Sequence, residues 1–121
     1  MTMLVVDDDP DARQLVIKLL ERLGHADVTA AENGVEALAA LDAADTQPDA
    51  MFVDLEMPEM GGVELLRHLA DREYPGKVIL ISGADEDTLA VAEGMANYRG
   101  VNVVGYITKP ASSAVLSEIF A

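Results

Sequence analysis

Cysteine and tryptophan are both absent from this chain of 121 residues, and only 4% of its residues are aromatic. The lack of cysteine excludes a disulfide framework, a thiol nucleophile and a cysteine-ligated zinc site. A domain of this length buries roughly two-thirds of its unfolded surface, so it needs no covalent staple. Because 50% of the residues are hydrophobic, we expect a fold held together by an aliphatic core.

Positive charge is scarce as well. Eight Lys and Arg residues stand against 22 Asp and Glu residues, which gives a formal net charge of −14 at pH 7. Such an acidic surface repels phosphate backbones and anionic lipids. We therefore expect no nucleic-acid binding and no membrane binding by this domain.

The sequence also has no long apolar run. None approaches the roughly 18–20 residues that a membrane span requires, and Asp7 comes too early for the apolar segment of a signal peptide. These absences predict a cytoplasmic location. The length predicts one domain, residues 1–121.

Short apolar runs alternate with amphipathic stretches five times along the chain. The predicted strands are residues 3–6, 27–31, 50–53, 78–81 and 101–107, and the predicted helices are residues 10–23, 34 to about 44, 63 to about 71, 85 to about 98 and 111–120. This alternation predicts an α/β fold, a doubly wound parallel sheet of five strands with helices on both faces.

The composition of the strands indicates which of them lie at the edges of the sheet. The second strand is rich in Ala and Thr, and the fifth carries Asn102 and Gly105, whereas the other three are apolar throughout. Central parallel strands are buried on both faces, so the second and fifth strands are the predicted edges. This grading fits the flavodoxin-like strand order 2-1-3-4-5, although other orders would also leave one weak strand at an edge.

Polar residues collect where the predicted strands end. Asp7, Asp8 and Asp9 follow the first strand, Asp54 follows the third, Ser82 the fourth, and Thr108-Lys109-Pro110 the fifth. Ligands of open parallel sheets bind at the carboxyl ends of the strands. We therefore expect three kinds of chemistry at one edge, from carboxylates, a hydroxyl and an ammonium group.

The spacing of neighbouring strands indicates that these residues can act together at one site. Neighbouring strands lie about 4.8 Å apart, so Asp8 and Asp54 can share one small cation in the favoured order. Strand five lies two strands from Asp54, roughly 10 Å away, a gap that the long side chain of Lys109 can cross. Clustered carboxylates with open positions favour Mg²⁺, and an aspartate beside such a cradle can act as a nucleophile toward phosphorus.

The chain resembles the receiver domain of two-component response regulators over essentially its whole length. The motifs that carry the resemblance are Leu4-Val5-Val6-Asp7-Asp8-Asp9-Pro10, Asn33-Gly34-Val35-Glu36-Ala37-Leu38, Asp54-Leu55-Glu56-Met57-Pro58-Glu59-Met60, Ile81-Ser82-Gly83 and Tyr106-Ile107-Thr108-Lys109-Pro110. The strand order favoured above is also that of the family, and a doubly wound chemotaxis protein is the standard illustration of it.

The resemblance implies a phosphorylation-activated switch. Asp54 would accept a phosphoryl group from a sensor histidine kinase or a phosphotransfer protein. The resemblance also implies Mg²⁺ held by the side chains of Asp8 and Asp54, by the backbone carbonyl of Glu56 and, through a water molecule, by Asp7. The domain would catalyse only its own phosphorylation and dephosphorylation.

Further roles follow from the same resemblance. Ser82 and Lys109 would contact the phosphoryl oxygens, and Tyr106 would change rotamer as Ser82 moves. The bond between Lys109 and Pro110 would be cis. The change would pass through the fourth helix, the fifth strand and the fifth helix to an output domain or partner, and a homodimer is left open.

The sequence departs from the family pattern at three places. Gly61 stands where most members carry an aspartate that starts the third helix, and Glu56 places an acid near the phosphoryl site. The chain between Ser82 and Lys109 is longer than usual by roughly one helical turn. This stretch is similar to receivers that precede EAL-type cyclic-di-GMP phosphodiesterase domains, so residues 1–121 are expected to be the N-terminal part of a longer protein.

Other interpretations apply to several acids. Asp9 before Pro10 is typical of a helix N-cap, and the acids at 85–87 fit the positive end of the fourth helix. Two alternative functions remain at this point. One is a small Mg²⁺-dependent phosphohydrolase of the haloacid-dehalogenase type with Asp54 as nucleophile, and the other is a protein-binding module that is never phosphorylated.

Overall fold

A computed structural model of the chain describes residues 1–57 and 59–120. Pro58, which belongs to the loop motif after Asp54, and Ala121 lie outside the described residues. Strands and helices alternate as predicted. The elements are β1 (Thr2–Val6), α1 (Pro10–Arg22), β2 (Asp27–Ala31), α2 (Gly34–Ala43), β3 (Ala50–Asp54), α3 (Gly62–Asp71), β4 (Lys77–Ser82), α4 (Glu86–Tyr98), β5 (Asn102–Thr108) and α5 (Ser113–Ile119).

The five strands form one parallel sheet in the order β2-β1-β3-β4-β5, which confirms the predicted order. The edges are β2 and β5, the two strands whose composition is least apolar. Every residue of β3 is buried, as expected for a strand covered on both faces. Val6 is level with Val53, and Ser82 is level with Thr108, so the carboxyl ends of the strands meet at one edge.

Each face of the sheet has its own apolar core. Val53 and Leu80 belong to the core that Leu41, Leu65, Leu89 and other side chains of α2, α3 and α4 complete. Phe52 and Ile79 point the other way, into the core shared with α1 and α5. Adjacent residues of a strand thus serve opposite cores, which is why continuous apolar runs were needed in the central strands.

Side chains cap most of the helices where the sequence predicted helix starts. Asp9 accepts a hydrogen bond from the Asp11 N–H at 3.0 Å, and Asn33 accepts one from the Glu36 N–H at 2.8 Å. The Glu36 carboxylate in turn accepts a hydrogen bond from the Glu32 N–H, one residue before this cap, at 3.3 Å. At the start of α3, Gly61 provides no side-chain cap, as its residue type implies.

Most element boundaries lie within one residue of the sequence prediction, and α5 shows the largest difference. The fifth helix begins at Ser113 and not at residue 111, because the Ser112 hydroxyl accepts a hydrogen bond from the Val115 N–H at 3.3 Å and so acts as the N-cap. The fourth strand is longer than predicted and runs from Lys77 to Ser82. Within the described residues, no helix has the length and apolarity needed to cross a bilayer.

An irregularity in β5 changes which core its residues enter. Val78 pairs with Val103 while Ile79 pairs with Gly105, so Val104 is an additional residue on the β5 side. Val103 therefore packs in the core under α4, whereas Ile107, four residues later, packs in the core under α1 and α5. The bulge also places Tyr106 on the α4 side.

Substitution by alanine at two helical glycines, Gly62 and Gly94, should change the free energy of unfolding in opposite directions. A Cβ atom at Gly62 would lie 2.5 Å from the Asp54 carbonyl oxygen, whereas a Cβ atom at Gly94 would have no atom within 4 Å. We expect Gly94→Ala to raise the free energy of unfolding by about 0.5–1 kcal/mol and Gly62→Ala to lower it by about 1–3 kcal/mol. Urea denaturation of both variants measures this. Equal effects would contradict the close approach of α3 to the end of β3.

Candidate functional site

The carboxyl edge of the sheet holds all the buried polar side chains of the described residues. Asp54 and Ser82 are the last residues of β3 and β4, and Asp7 directly follows β1. Their exposed fractions are 2%, 0% and 1%, respectively. Burying a polar group is unfavourable unless a partner compensates for the lost water. The concentration of all three at one place therefore marks this edge as the candidate site.

Three carboxylates converge there. Asp7, Asp8 and Asp54 each offer one carboxylate oxygen, and these oxygens lie within 4.8 Å of one another. Asp8 is exposed while the other two are buried, so the cluster opens to solvent on the Asp8 side. The strand spacing predicted that Asp8 and Asp54 lie close enough to share one cation, and the structure agrees with this prediction.

Lys109 reaches the cluster from β5. Its Nζ atom lies 3.0 Å from Asp7 Oδ2 and 3.2 Å from Asp54 Oδ2. The backbone N–H of Lys109 donates to the Ser82 carbonyl at 2.8 Å, which anchors the turn after β5 to the end of β4. The Lys109–Pro110 peptide bond is cis. The sequence pattern predicted a contact of Lys109 with Asp54 only, so its contact with Asp7 is an additional finding.

Burial alters the acidity of Asp54. Loss of water raises the pKa of Asp54 from 3.8 to about 6, and the neighbouring charge of Asp7 acts in the same direction. The hydrogen bond from the Glu56 N–H, 3.1 Å from Asp54 Oδ1, and the charge of Lys109 both oppose this rise. The ammonium group therefore offsets only part of the cost of placing this carboxylate inside the protein.

The pKa of Lys109 is raised although its side chain is partly buried. Burial by itself lowers the pKa of Lys109, but the contact with Asp7 and the charge of Asp54 outweigh it and raise the pKa. The ammonium group is consequently held in its charged form, although it is only a quarter exposed. The ammonium group of Lys109 thus faces a cluster of three carboxylates and pairs with two of them.

The Asp7 carboxylate has one satisfied and one unsatisfied oxygen. Its Oδ1 accepts a hydrogen bond from the Asp9 N–H at 2.9 Å, and the Arg13 guanidinium holds the Asp7 backbone carbonyl at 2.8 Å. Oδ2 lies within ion-pair distance of Lys109 but makes no well-directed hydrogen bond. An under-coordinated buried oxygen beside two further carboxylates is a donor set that fits a hard cation such as Mg²⁺.

Ser82 has a partner that the sequence did not reveal. Its hydroxyl donates to the Glu56 carboxylate at 3.1 Å and accepts from the Ala84 N–H at 3.0 Å. The sequence pattern placed the Glu56 acid near the phosphoryl site but did not pair it with Ser82. The available signal was an acid two residues past the end of β3 beside a hydroxyl at the end of the neighbouring β4.

Tyr106 lies apart from the carboxylates. It is half-buried on the α4 side of β5, and its hydroxyl donates to the Glu86 carboxylate at 3.2 Å. Burial and then the charge of Glu86 raise the pKa of this phenol. The tyrosine thus links β5 to the first turn of α4, and α4 begins directly after the Asp85 cap that accepts from the Thr88 N–H.

Comparison with known proteins identifies this arrangement. The family model described as response regulator receiver domain matches residues 3–121. The chain belongs to the response regulator receiver family. Receiver domains are phosphorylation-activated signalling switches and not classical enzymes, and they bind Mg²⁺ at an acidic pocket. Membership leaves the phosphohydrolase alternative without support, because the chain places its central acid on the third strand and not on the first.

Individual relatives give the same picture. The chemotaxis protein CheY1 of Helicobacter pylori strain 26695 is 37% identical over 123 residues, which cover 98% of this chain and 92% of that protein. The positive alginate biosynthesis regulatory protein of Pseudomonas aeruginosa is 35% identical over 120 residues, covering 98% of this chain. The chain spans only 45% of that longer relative. The response regulator TrrA of Thermotoga maritima, solved in complex with Mg(2+)-BeF, superimposes with a TM-score of 0.78 at 28% identity, covering 98% of this chain and 95% of that one.

The raised pKa of Asp54 makes a prediction about the metal-free protein. The folded state keeps a proton on Asp54 that the unfolded state has already released between pH 3.8 and about 6. The free energy of unfolding should therefore fall as pH rises through this window, by at most about 3 kcal/mol. Asp54→Asn lacks this proton and should gain stability relative to wild type above pH 6.

Urea denaturation in EDTA from pH 3.5 to 7.5 measures the difference between the two proteins. Carboxylates remote from residue 54 titrate in both proteins and cancel in that difference, and the change in the Lys109 contact adds an offset. A difference that stays constant across the window would show that the fold does not perturb Asp54.

Proposed function

We propose that Asp54 is the phosphoryl acceptor of this receiver domain. The observation that carries the proposal is its buried carboxylate, 3.2 Å from the Lys109 ammonium and beside two further acids. Asp7 is equally buried and also contacts Lys109, but the receiver resemblance assigns it to the metal, and Asp8 is exposed and makes no ion pair with Lys109. Asp54 combines burial and the lysine contact with the acceptor position of the receiver motif.

The proposed reaction is a transfer to a carboxylate oxygen. An Asp54 oxygen attacks the phosphorus of a phosphohistidine on a kinase or phosphotransfer protein, the P–N bond breaks, and its electron pair returns to the imidazole nitrogen. The product is an acyl phosphate on Asp54. In the ionised form that attacks, Asp54 requires positive charge around it, and Lys109 supplies one such charge.

The carboxylate cluster is the proposed Mg²⁺ site. Asp8 and Asp54 would hold the ion through their side chains, Glu56 through its backbone carbonyl and Asp7 through a water molecule. Bound Mg²⁺ neutralises charge that develops on the phosphoryl oxygens. The Mg(2+)-BeF complex of TrrA supports this proposal by analogy, and the unsatisfied Asp7 Oδ2 supports it within this chain.

Ser82 is the proposed sensor of the phosphoryl group. Its hydroxyl now donates to Glu56, and a phosphoryl group on Asp54 would bring about −2 of charge beside that acid. The repulsion would displace the Glu56 carboxylate, and the Ser82 hydroxyl would turn to a phosphoryl oxygen. The change would then reach α4, Tyr106 and α5, and from there an output domain or partner. An EAL-type phosphodiesterase domain is our candidate output.

Phosphorylation itself tests the assignment of Asp54. We expect acetyl phosphate with Mg²⁺ to add one phosphoryl group to the wild type and none to Asp54→Asn, because residue 54 is the proposed acceptor and the neighbouring Asp7 and Asp8 are proposed metal ligands. Intact-protein mass spectrometry measures the adduct. Asp9→Asn is the matched control, since Asp9 is an acid in the same loop that caps α1, and asparagine caps equally well.

Each other outcome contradicts the proposal in a distinct way. An adduct that persists in Asp54→Asn would assign the acceptor elsewhere. Rapid turnover of many phosphate esters would favour a phosphohydrolase, and no adduct together with no response to Mg²⁺ would favour a passive binding module.

Metal binding makes a second, independent prediction. Mg²⁺ at about 100 times its dissociation constant should stabilise the wild type by about 2.7 kcal/mol. Asp8→Asn should lose most of this gain because it removes a proposed ligand, whereas Asp9→Asn should keep it because Asp9 caps α1. Thermal denaturation with and without Mg²⁺ measures both variants. Equal stabilisation of the two would place the ion away from Asp8.

A further inference from the structure

Helices α3 and α4 lie side by side on one face of the sheet, and a groove runs between them. Leu66 of α3 and Ala92 and Ala96 of α4 are the buried side chains that line its inner part. Val63 and Met95 line it from opposite helices, and they are 48% and 51% exposed. We call this surface the α3–α4 groove. A contiguous apolar surface that stays open to water is typical of a binding site.

The charged side chains that line the α3–α4 groove are both arginines. Arg67 on α3 and Arg99 at the end of α4 are exposed, and neither is in an ion pair among the described residues. The chain has 22 acidic residues and only eight Lys and Arg residues, yet none of the described acids lines this groove. The groove is therefore locally basic on a protein whose net charge is −14.

The acids of the two helices lie on other sides of them. At 3.6 residues per turn, Glu64 and Asp71 are about 90° or more around α3 from the side that lines the groove. Glu86, Asp87 and Glu93 are roughly 110° or more around α4 from its groove side. A carboxylate that enters the groove would therefore meet arginines without an acid directly beside them.

The shape of the groove favours a helical occupant. Its α4 wall runs from Ala92 to Arg99, which is about 10 Å or two helical turns. A row of side chains that projects from one helix at one-turn spacing fits between two packed helices. The two arginines stand on different helices, so acids on both flanks of such a row would each find one of them.

We propose that the α3–α4 groove binds an amphipathic helix of a partner protein, one with an apolar row flanked by acidic residues on both sides. The apolar row would cover Val63, Leu66 and Met95, and the acids would pair with Arg67 and Arg99. The aliphatic stems of the arginines would add apolar contact. Binding an amphipathic helix in an apolar groove is a general mode of peptide recognition, and here it does not depend on phosphorylation of Asp54.

Charge selects this partner over other classes. A membrane or a nucleic acid would bring many negative charges against the acids that surround the groove, whereas a short helix places only a few charges, at the arginines. A basic helix would be attracted by the net charge but would oppose both arginines. Two turns of contact bury less than the roughly 1,200 Å² of a standard interface, so we expect a dissociation constant on the order of 100 μM.

An NMR titration of the ¹⁵N-labelled protein with a synthetic helix tests the proposal. The probe is a peptide of about 14 residues with leucines at i, i+4 and i+7 and glutamates on both flanks, held helical by a covalent link on its far side. We expect the largest shifts at the residues that line the α3–α4 groove. A peptide of the same composition with its leucines spread around the helix is the control and should not bind.

Charge reversal in the protein locates the contact. Arg67→Glu and Arg99→Glu should each weaken binding about fivefold, because each replaces an ion pair with a like-charge contact. Lys18→Glu is the matched control. It changes the net charge equally at an exposed position of α1, on the opposite face of the sheet, so it should leave binding unchanged. Met95→Ser should weaken binding and keep the fold, because this side chain is half-exposed.

A charge-swapped pair separates loss of binding from loss of folding. Arg67→Glu/Arg99→Glu should bind the same peptide with lysines in place of its glutamates, in the same groove and within about threefold of the original pair. The proposal is overturned if about 1 mM glutamate peptide causes no shifts, if Lys18→Glu weakens binding as much, or if the swapped pair does not bind. Shifts at the groove residues on dilution of the free protein would overturn it in favour of a second copy.

Discussion

Two carboxylates that are almost wholly withdrawn from water, those of Asp7 and Asp54, share the single ammonium group of Lys109. The arrangement leaves negative charge in excess, and the charge of Asp7 adds to the larger effect of burial in raising the pKa of Asp54. The parallel sheet is what makes it possible, since three different strands deliver the three groups to one edge. A site of this kind is unfavourable for the folded chain when it is empty of cations, and that instability is the basis of its affinity for them.

The hydrogen bond between Ser82 and Glu56 limits how much free energy Ser82 can contribute to switching. A hydrogen bond to a charged group contributes about 1.5–3 kcal/mol, but Ser82 already makes one with Glu56. Exchanging that bond for one to a phosphoryl oxygen supplies only the difference between the two. Inverting a 1:99 equilibrium needs roughly 5.5 kcal/mol. In the proposed mechanism most of it must come from the added charge acting on Lys109 and Glu56.

The alternation of strands and helices, the strand order and the edge that bears the site were all predictable, because they follow from burial and from the residue types at strand ends. Asp54 was identifiable for the same reason: an acid directly after an all-apolar strand has few structural explanations. The Lys109 contact with Asp7 and the Glu56 contact with Ser82 were not predictable. Each depends on a rotamer and a loop path within a few ångströms, and strand spacing does not resolve such distances. The start of α5 was missed because the helical pattern extends back to residue 111, and the role of Ser112 as N-cap depends on a hydroxyl contact that the pattern does not show.

The additional residue at Val104 has a consequence for the whole second half of β5. Side chains of a strand alternate between its faces, so one extra residue would exchange the two faces for everything that follows if no bulge absorbed it. Tyr106 packs with α4 and Ile107 packs with α1 and α5 because the bulge takes Val104 out of the alternation. The bulge therefore determines which layer of helices the phenol contacts. The same chain paired without the bulge would keep every other motif intact while presenting its tyrosine to the wrong side of the sheet.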